Sequence, residues 1–498
     1  MTPSRYVACD LGAESGRVML GTLENGVLSL EEIHRFPNGP VTISGSLHWD
    51  VARMFDELKI GLGKVAARGE PVASISCDSW GVDYVLLQGS EPFLTPPFHY
   101  RDTRTDGGLE RAFTIVPAAE IFAETGIQFM SINTLYQLLA DLHQRPKVLE
   151  KAEWFLNIGD YFNFLLSGVA KAEESLASTT QLYDTRKKAW SAKLIDQFGL
   201  PARIFPEVVP SGTVLGPLLP AVTAQTGLQG ASVVASCSHD TGAAVAAVPA
   251  EGNGWAYISS GTWSLLGVER PTPIVNEASR AHNFTNELGF GGSVRFLKNI
   301  AGLWIIQECR RSWKKDGDEY SYDDLMVEAA GAHPLKAFID PMDAAFTRPD
   351  DMPRRIVDYC RSTNQPLPET PGEIVRGVLE SLALVYRRTI NQLEEVTGEK
   401  LHTIHIVGGG SQNRLLNQMT ANATGRIVHA GPVECSAIGN ILIQAIALGH
   451  ISSLEAARGI VRSSFPMEHY SHFGGRVWED AWNRFKQFTQ PSQKKNIQ

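Results

Sequence analysis

The chain has 498 residues, with 54 acidic and 45 basic side chains, a formal net charge of −9 and a hydrophobic content of 43%. At about 150 residues per domain, this length predicts three domains or two large ones. The acidic balance argues against a nucleic-acid-binding protein, because such proteins neutralise phosphates with Lys and Arg. It leaves a nucleotide possible as a ligand, since backbone N–H groups can form a local phosphate site.

The six cysteines are dispersed along the chain, and none forms a C-x-x-C pair. There is no uninterrupted apolar run of about 18 residues, and the N-terminus lacks the pattern of a signal peptide. These features predict reduced thiols, a cytoplasmic location and no membrane partner. We expect a monomer or a homodimer, between which composition does not decide.

The opening of the chain predicts an antiparallel meander followed by a helix and a further strand. Alternating and helical apolar spacings define these elements, and Asn-Gly is a strong hairpin signal. The predicted elements, in order, are strands over 5–11 and 17–23, a hairpin turn at Asn25-Gly26, a helix over about 50–67, and a strand over 72–77 that ends at Asp78.

The strand–turn–strand pattern of the N-terminus recurs over 256–268. This recurrence predicts two homologous α/β halves, and the Gly/Pro-rich segment near 249–254 suits the crossover between them. The expected domains are 1–248 and 249–485, followed by a polar tail over 486–498. Later predicted elements are a helix over 373–396, a strand over 401–407, and a helix over 437–448 with Ser436 as its N-cap.

The first strand ends in an acid followed by a glycine-containing turn, Asp10 to Arg17. Backbone N–H groups of such a turn converge on an anion, and Asp10 beside a phosphate requires a cation such as Mg²⁺ between them. Taken alone, the pattern also fits an ordinary hairpin with a solvated Asp. The second turn, Ser259 to Ser264, offers hydroxyl and N–H donors suited to a terminal phosphate.

Two further segments follow predicted strands. Gly408-Gly409-Gly410 permits close approach of the backbone to a base and ribose, although a flexible connection would also use glycines. Asp240 follows the apolar strand 231–235, and a carboxylate there can take a proton from a sugar hydroxyl. The neighbouring Ser238 and His239 suggest a hydrolase, but adjacent residues rarely converge as a triad and no G-x-S-x-G motif occurs.

Neither G-x-x-x-x-G-K-[ST] nor G-x-G-x-x-G is present, so P-loop and standard dinucleotide-binding enzymes are excluded. In their order, the four segments resemble the FGGY carbohydrate kinases of the actin-like ATPase superfamily, from about residue 5 to about 470. The resemblance implies two actin-like (ribonuclease H-like) domains with mixed sheets flanked by helices and an active site in the interdomain cleft. The N-terminal domain would bind the sugar and carry the first phosphate turn and the catalytic Asp, and the C-terminal domain would bind the nucleotide.

Several segments are most similar to the branch of this family that phosphorylates L-rhamnulose, among them Asp78 to Asp83, Tyr100 to Arg104 and Leu297 to Trp304. The implied reaction transfers phosphate from ATP, with Mg²⁺, to the 1-hydroxyl of L-rhamnulose in L-rhamnose catabolism. Asp240 matches the proton acceptor, and Asp10 is the expected metal contact. Positions matching ATP contacts are Ala13, Glu14, Ser15, Gly16, Arg17, Thr262, Gln307 and Gly409, and positions matching sugar contacts are Gly81, His239, Asp240, Thr241 and Asn299.

Two sugar contacts are predicted from the residues themselves: Trp80, whose ring could face the methyl end of the deoxy-sugar, and Gln128, whose amide could bind a hydroxyl. Trp80 is equally typical of a core aromatic. The alternatives are an FGGY kinase for another ketose, such as L-fuculose or a xylulose-like sugar, a non-kinase actin-like ATPase, and a sugar-binding protein without catalysis.

Overall fold

The computed structural model describes residues 3–89, 93–346 and 348–489, which form two compact units. The first consists of the residues up to Pro249 together with Glu269–Leu297 and Glu434–Pro466. The second consists of Ala250–Val268, Lys298–Val433 and the residues from Met467 onwards. The chain therefore enters the first unit three times. The continuous domains 1–248 and 249–485 remain a prediction.

Both units contain strands and helices. The strands are β1 (Ser4–Leu11), β2 (Ser15–Glu24), β3 (Val27–Pro37), β4 (Pro40–Ile43), β5 (Ser46–Trp49), β6 (Ser74–Ser79), β7 (Tyr84–Leu87), β8 (Trp154–Asn157), β9 (Ala172–Glu173), β10 (Tyr183–Asp184), β11 (Ala189–Trp190), β12 (Val208–Val209), β13 (Thr213–Pro217), β14 (Ser232–Ala235), β15 (Trp255–Ser260), β16 (Trp263–Arg270), β17 (Thr285–Leu288), β18 (Val294–Ala301), β19 (Thr403–Val407), β20 (Ile427–Ala430) and β21 (Glu468–Tyr470). The helices are α1 (Val51–Ala66), α2 (Gly108–Ile115), α3 (Ala118–Thr125), α4 (Thr134–Gln144), α5 (Pro146–Lys151), α6 (Ile158–Ser167), α7 (Glu174–Ala177), α8 (Ala192–Gln197), α9 (Pro220–Thr226), α10 (Asp240–Ala246), α11 (Glu277–Ala281), α12 (Trp304–Asp316), α13 (Tyr322–Gly331), α14 (Met352–Ser362), α15 (Pro371–Thr397), α16 (Arg414–Thr424), α17 (Cys435–Ala447), α18 (Leu454–Ser464) and α19 (Gly475–Thr489).

The main sheet of the first unit has six strands in the order β13-β14-β6-β1-β2-β3. Strands β1, β2 and β3 form the predicted antiparallel meander, and the second turn places Asn25 and Gly26 at φ 51° and 77°. Such positive φ values belong to the hairpin turn that Asn-Gly favours. Strand β6 runs parallel to β1, and β14 runs parallel to β6. The meander and helix α1 are confirmed, while β6 begins and ends two residues later than predicted.

Helix α17 packs against the buried strands β1 and β6 of the first unit. Gln444 on this helix donates to the carbonyl of Val7 at 3.0 Å and accepts from the Ser74 hydroxyl at 2.6 Å. The prediction that Ser436 caps this helix is wrong, because the helix already begins at Cys435. Glu434 occupies the N-cap position, where its side chain pairs with Arg17 and makes no capping hydrogen bond.

Within the second unit the strand order is β18-β16-β15-β19-β20-β21. Of β18 and β16, the residues that belong to this unit are 298–301 and 263–268. The hairpin of β15 and β16 confirms the predicted repeat of the opening pattern, and β19 is parallel to β15 as β6 is to β1. The predicted helix over 373–396 is confirmed as α15, which begins after the N-cap Thr370 and ends at Gly398.

Of the polar tail expected over 486–498, residues 486–489 end helix α19, and residues 490–498 lie outside the described part of the chain. Within the described ranges, no helix has both the length and the apolar character needed to cross a bilayer. All six cysteines are buried and free, as the prediction of reduced thiols requires.

Candidate active site

Three carboxylates lie at one edge of the first unit's sheet, where the parallel strands β1, β6 and β14 end. Asp10 and Asp78 are register partners on β1 and β6. Beyond β14, His239 forms a bridge with Ser79, and Asp240 follows it as the first residue of α10. Parallel strands present their carboxyl ends at the same edge, which is where ligands bind in α/β sheets. This edge holds the predicted metal contact and the predicted base.

Asp10 is almost fully buried, at 2% exposure, and its carboxylate lies 2.9 Å from the guanidinium of Arg17. Arg17 also pairs with Glu434 at the start of α17. The charge of Asp10, followed by that of Glu434, raises the pKa of Arg17 against the effect of burial. The predicted first phosphate turn therefore ends in a positive charge beside the buried Asp10.

Asp78 is fully buried and accepts a hydrogen bond of 2.5 Å from the side-chain amide of Asn440. Burial, and then the negative charges of Asp10 and Asp240, raise its pKa well above the ordinary value. The sequence predicts Asp78 at the end of a strand, without a role of its own. The shared signal was an acid directly after an apolar strand, as in Asp10 and Asp240.

The side chain of Asp240 is 26% exposed. Its Oδ1 accepts hydrogen bonds from the Thr241 N–H at 2.6 Å and the Thr241 hydroxyl at 3.2 Å. Burial raises its pKa, with a further rise from Asp10, while His239 and Thr241 act in the opposite direction. Among the described residues none donates a hydrogen bond to Oδ2. A raised pKa makes the carboxylate a stronger proton acceptor.

His239 is 6% exposed and lies between Asp240 and a buried ion pair. Its Nε2 is 3.5 Å from Asp240 Oδ1. On the other side of the ring, Nδ1 is 3.0 Å from Arg295 Nη2 and 3.3 Å from Glu287 Oε2. The ion pair of Arg295 and Glu287, at 3.2 Å, belongs to the hairpin of β17 and β18.

The segment that precedes Asp240 is held by hydrogen bonds to Glu173, directly and through Ser175, and Glu173 is fully buried. Glu173 accepts from the Ser238 N–H at 3.1 Å and from the hydroxyl of Ser175, which in turn accepts from the His239 N–H at 3.0 Å. Burial raises the pKa of Glu173 to about 7. No local pattern marks this residue, because Ser238, whose N–H donates to it, lies 65 residues away along the chain.

The turn between β1 and β2 is closed by a hydrogen bond from the Gly12 N–H to the Ser15 carbonyl at 3.0 Å. Ala13, Glu14 and Ser15 are partly exposed, so the tip of the turn is accessible. Gly16 is buried, and a Cβ there would lie 2.2 Å from the ring of Phe36. The glycine is thus required for close packing under the turn, and the polar tip remains available to a ligand.

The predicted sugar contacts Gly81, Trp80 and Gln128 also lie in the first unit, outside the row of strand-end acids. Gly81 is partly exposed and packs against Thr179. Trp80 is 7% exposed, and its indole N–H donates to the buried carboxylate of Asp83 at 3.0 Å. These contacts are those of a core aromatic. Gln128 is 1% exposed. The roles of all three in sugar binding remain predictions.

In the second unit, the predicted nucleotide loops follow the parallel strands β15 and β19. The loop at Gly408–Gly410 packs so tightly that a Cβ at Gly410 would lie 2.1 Å from Ser260 Oγ. The turn at Thr262 is fixed by hydrogen bonds from the N–H groups of Gly302 and Trp304 to its carbonyl, at 3.1 and 3.2 Å. Thr262 and Gly409 therefore lie in loops that begin at one edge of this sheet.

Gln307 lies on α12, which begins directly after the segment bonded to the Thr262 turn. Its Oε1 is buried and lacks a hydrogen-bond partner among the described residues, which is unusual for a polar atom in the interior. Asn299 is partly buried on β18, three residues before Gly302. In the second unit, Thr262 is thus bonded to the start of α12, the helix that carries Gln307. Thr262 and Gly409 lie in loops that follow the paired strands β15 and β19.

No group of three or more His, Cys, Asp or Glu side chains in the described ranges is arranged to hold a metal ion. Asp10 nevertheless fits a metal that arrives with its ligand, because it is a buried carboxylate with hard oxygen atoms, of which Oδ2 is paired with Arg17 Nη2 at 2.9 Å. Mg²⁺ is commonly held by one or two carboxylates, substrate phosphates and several waters.

Two family descriptions match the chain. Residues 5–247 match the N-terminal domain, and residues 256–448 the C-terminal domain, of the FGGY family of carbohydrate kinases. Together they cover most of the chain.

Curated relatives match along almost the entire length. A rhamnulokinase of Bacteroides thetaiotaomicron is 42% identical over 481 residues, covering 97% of this chain and 98% of the relative. A rhamnulokinase of Enterococcus faecalis is 40% identical over 490 residues, covering 98% of each.

Among solved structures, a ligand-bound xylulose kinase and a gluconate kinase from Lactobacillus acidophilus each superpose with a TM-score of 0.81 at 15% identity. The first alignment covers 97% of both chains, and the second covers 98% of this chain and 97% of the other. At this identity the likeness concerns the fold alone, and it confirms the predicted α/β fold with two actin-like domains of mixed sheets and helices.

Proposed function

We propose that this chain, which belongs to the FGGY family of carbohydrate kinases, phosphorylates L-rhamnulose at its 1-hydroxyl with ATP, giving L-rhamnulose 1-phosphate and ADP in L-rhamnose breakdown. The observation that carries this proposal is the identity of about 40% to curated rhamnulokinases over nearly the whole chain. The family membership establishes a sugar kinase, and the choice of L-rhamnulose rests on these relatives.

In this proposal Asp240 is the proton acceptor. Its Oδ2 would accept the hydrogen bond of the sugar hydroxyl, while Thr241 holds the other oxygen in place. The transition state of phosphoryl transfer is loose, so the hydroxyl loses its proton late and a carboxylate suffices as the base. His239, Thr241, Gly81 and Asn299 are the proposed sugar contacts.

The proposed nucleotide contacts are the turn Ala13–Arg17 in the first unit and Thr262, Gln307 and Gly409 in the second. The Thr262 hydroxyl and the backbone N–H groups of both turns are donors suited to phosphate oxygens. Asp10 would hold Mg²⁺ together with the phosphates. When bound, the ion neutralises charge on the transferred group.

A panel of sugars and phosphoryl donors tests the substrates. Purified protein is assayed for ADP release with ATP and L-rhamnulose, L-fuculose or xylulose, and phosphorus NMR identifies the phosphorylated position. We expect the highest kcat/KM with L-rhamnulose and a product phosphorylated at position 1. A higher value with L-fuculose or xylulose would assign the chain to another ketose, and ATP hydrolysis independent of any sugar would refute the kinase.

The role of Asp240 is tested by Asp240→Asn, with Asp56→Asn on the exposed face of α1 as the matched control. General-base catalysis typically increases the rate about 10²–10⁴-fold, so we expect kcat to fall by about 10²-fold or more. The affinity for the sugar, measured by calorimetry, should change little. Asp56→Asn should retain the wild-type kcat. Full turnover in Asp240→Asn would remove this residue from the mechanism.

A cytoplasmic location is part of the same proposal.

A further inference from the structure

The imidazole of His239 sits against a buried ion pair that the proposed mechanism does not use. Arg295 is fully buried on β18, and its Nε donates to the carbonyl of Leu288 at 3.1 Å. Its Nη2 is directed at His239 Nδ1 at 3.0 Å. Gly242 packs closely on the guanidinium, since a Cβ there would lie 3.5 Å from its central carbon. The position of Arg295 is therefore fixed from several sides.

An arginine side chain carries only N–H donors and keeps its proton in proteins. The nitrogen that faces Nη2 at 3.0 Å must therefore accept, which requires Nδ1 of His239 to be unprotonated. Glu287 Oε2 lies 3.3 Å from the same nitrogen, within ion-pair distance. Its direction from the ring does not meet hydrogen-bond geometry, so the contact with Arg295 determines the state of Nδ1.

We propose that Arg295 is a positioning residue that holds His239 in the tautomer with its proton on Nε2, so that the ring offers a hydrogen-bond donor beside Asp240. The tautomer follows from the contact with Arg295 alone, whereas its effect on sugar binding rests on the proposed function. A neutral imidazole has one donor and one acceptor nitrogen, and the partner of one nitrogen sets the other. Nε2 is the nitrogen on the side of Asp240, 3.5 Å from Oδ1.

The chemical consequence is a division of labour between two adjacent residues. Nε2–H can donate to an oxygen of the sugar but cannot take the proton of a hydroxyl. Asp240 is then the sole proton acceptor of the pair, and His239 selects a sugar oxygen that can accept a hydrogen bond. With the opposite tautomer, Nε2 would be an acceptor and would compete with Asp240 for hydroxyl protons. Arg295 thereby sets the hydrogen-bond polarity of the sugar site.

The direct test is nitrogen NMR of the full-length protein labelled with ¹⁵N-histidine, without sugar or ATP, at a pH where imidazoles are neutral. The signals of His239 are assigned by their absence in His239→Gln. We expect a bare nitrogen at Nδ1 and a protonated nitrogen at Nε2. A proton on Nδ1 in the wild-type protein would overturn the proposal. Because no substrate is present, this result is independent of whether the chain phosphorylates L-rhamnulose.

Variants separate this role from general packing. In Arg295→Met the obligate donor facing Nδ1 is lost, and a small rotation of the ring lets Nδ1–H donate to the carboxylate of Glu287, 3.3 Å away. We therefore expect the proton to move to Nδ1 and the KM for the sugar to rise about tenfold or more, as loss of one hydrogen bond implies. Arg295→Lys keeps an obligate donor and should retain the wild-type tautomer. Retention of the Nε2–H tautomer in Arg295→Met would refute the assignment. If Arg295→Met fails to fold, the wild-type and Arg295→Lys spectra decide.

Discussion

The contact between helices α10 and α17 in the first unit gives the sharpest test of how packing positions the candidate base. Gly439 on α17 lies against the backbone of α10, and a Cβ added to it would be 1.8 Å from the carbonyl oxygen of Ala243. Asp240 is the first residue of the same helix α10. The substitution Gly439→Ala therefore pushes on the helix that carries the proposed proton acceptor.

The magnitude follows from the distance. Real Cβ atoms essentially never approach closer than 3.0 Å, so the two backbones have to separate by about 1.2 Å. A carbonyl of the helix backbone cannot rotate away as a side chain can. Overpacking of this kind costs about 1–3 kcal/mol, and the higher helix propensity of Ala returns at most about 1 kcal/mol. We expect a net loss of about 1–2 kcal/mol in the free energy of unfolding.

The matched control is Gly63→Ala in the interior of α1, where the nearest atom to the added Cβ would be 3.7 Å away, in ordinary van der Waals contact. Thermal unfolding by calorimetry should give a lower Tm for Gly439→Ala and an equal or higher Tm for Gly63→Ala. In the kinase assay, kcat should fall by about tenfold or more only in Gly439→Ala, because misplacement of a catalytic group by about 1 Å can cost 10²-fold. A wild-type Tm in Gly439→Ala would refute the reasoning.

Three further predictions concern buried or paired carboxyl groups. Burial raises the pKa of Glu173 to about 7, so the folded state binds the proton of this carboxyl more tightly than the unfolded chain does. The contribution of Glu173 to the free energy of unfolding should therefore be lost as pH rises from about 4.5 to 7. Calorimetry should show that Glu173→Gln removes this part of the dependence of stability on pH. Despite the opposing effect of burial, hydrogen bonds from the Leu401 N–H, Arg426 and Lys400 lower the pKa of Glu394 to about 2. The contribution of Glu394 to the free energy of unfolding should therefore be lost as pH falls from about 4.5 towards 2. Calorimetry should show that Glu394→Gln abolishes this pH dependence. Asn440→Leu removes the donor to the buried carboxyl of Asp78 and should cost about 1–3 kcal/mol in the free energy of unfolding, measured as a lower Tm.

These outcomes can be contradicted separately. An unchanged pH slope in Glu173→Gln would mean that this carboxyl does not titrate between about 4.5 and 7. An acid-induced loss of stability as large in Glu394→Gln as in the wild type would exclude Glu394 as its source. A wild-type Tm for Asn440→Leu would show that Asp78 finds another donor.

Local patterns in the sequence were sufficient where a few neighbouring residues determine the structure. Asn25-Gly26 predicted its hairpin turn, and the apolar spacing of α15 predicted a helix that the structure extends to Pro371–Thr397. The strand-end positions of Asp10 and Asp240 were predicted in the same way, and parallel strand pairing places them at one edge.

Contacts between distant parts of the chain had no such signal. Asn440 and Asp78 are 362 residues apart, and nothing near either residue indicates the other. Helix α17 begins at Cys435, and its N-cap residue Glu434 pairs with Arg17, a partner that local sequence does not reveal. The environment of Trp80 depends on Asp83, whose burial also follows from long-range packing.

The discontinuity of the first unit has a consequence for biosynthesis. Its strand β1 is made first, but Gln444 of α17, which bonds to Val7 and Ser74, is made only after most of the second unit. While the ribosome translates residues 298–433, the surface of β1 and β6 that α17 packs against lacks this helix. Completion of the first unit is therefore a late event in synthesis, after Pro466 has left the exit tunnel, and apolar surface exposed until then favours aggregation.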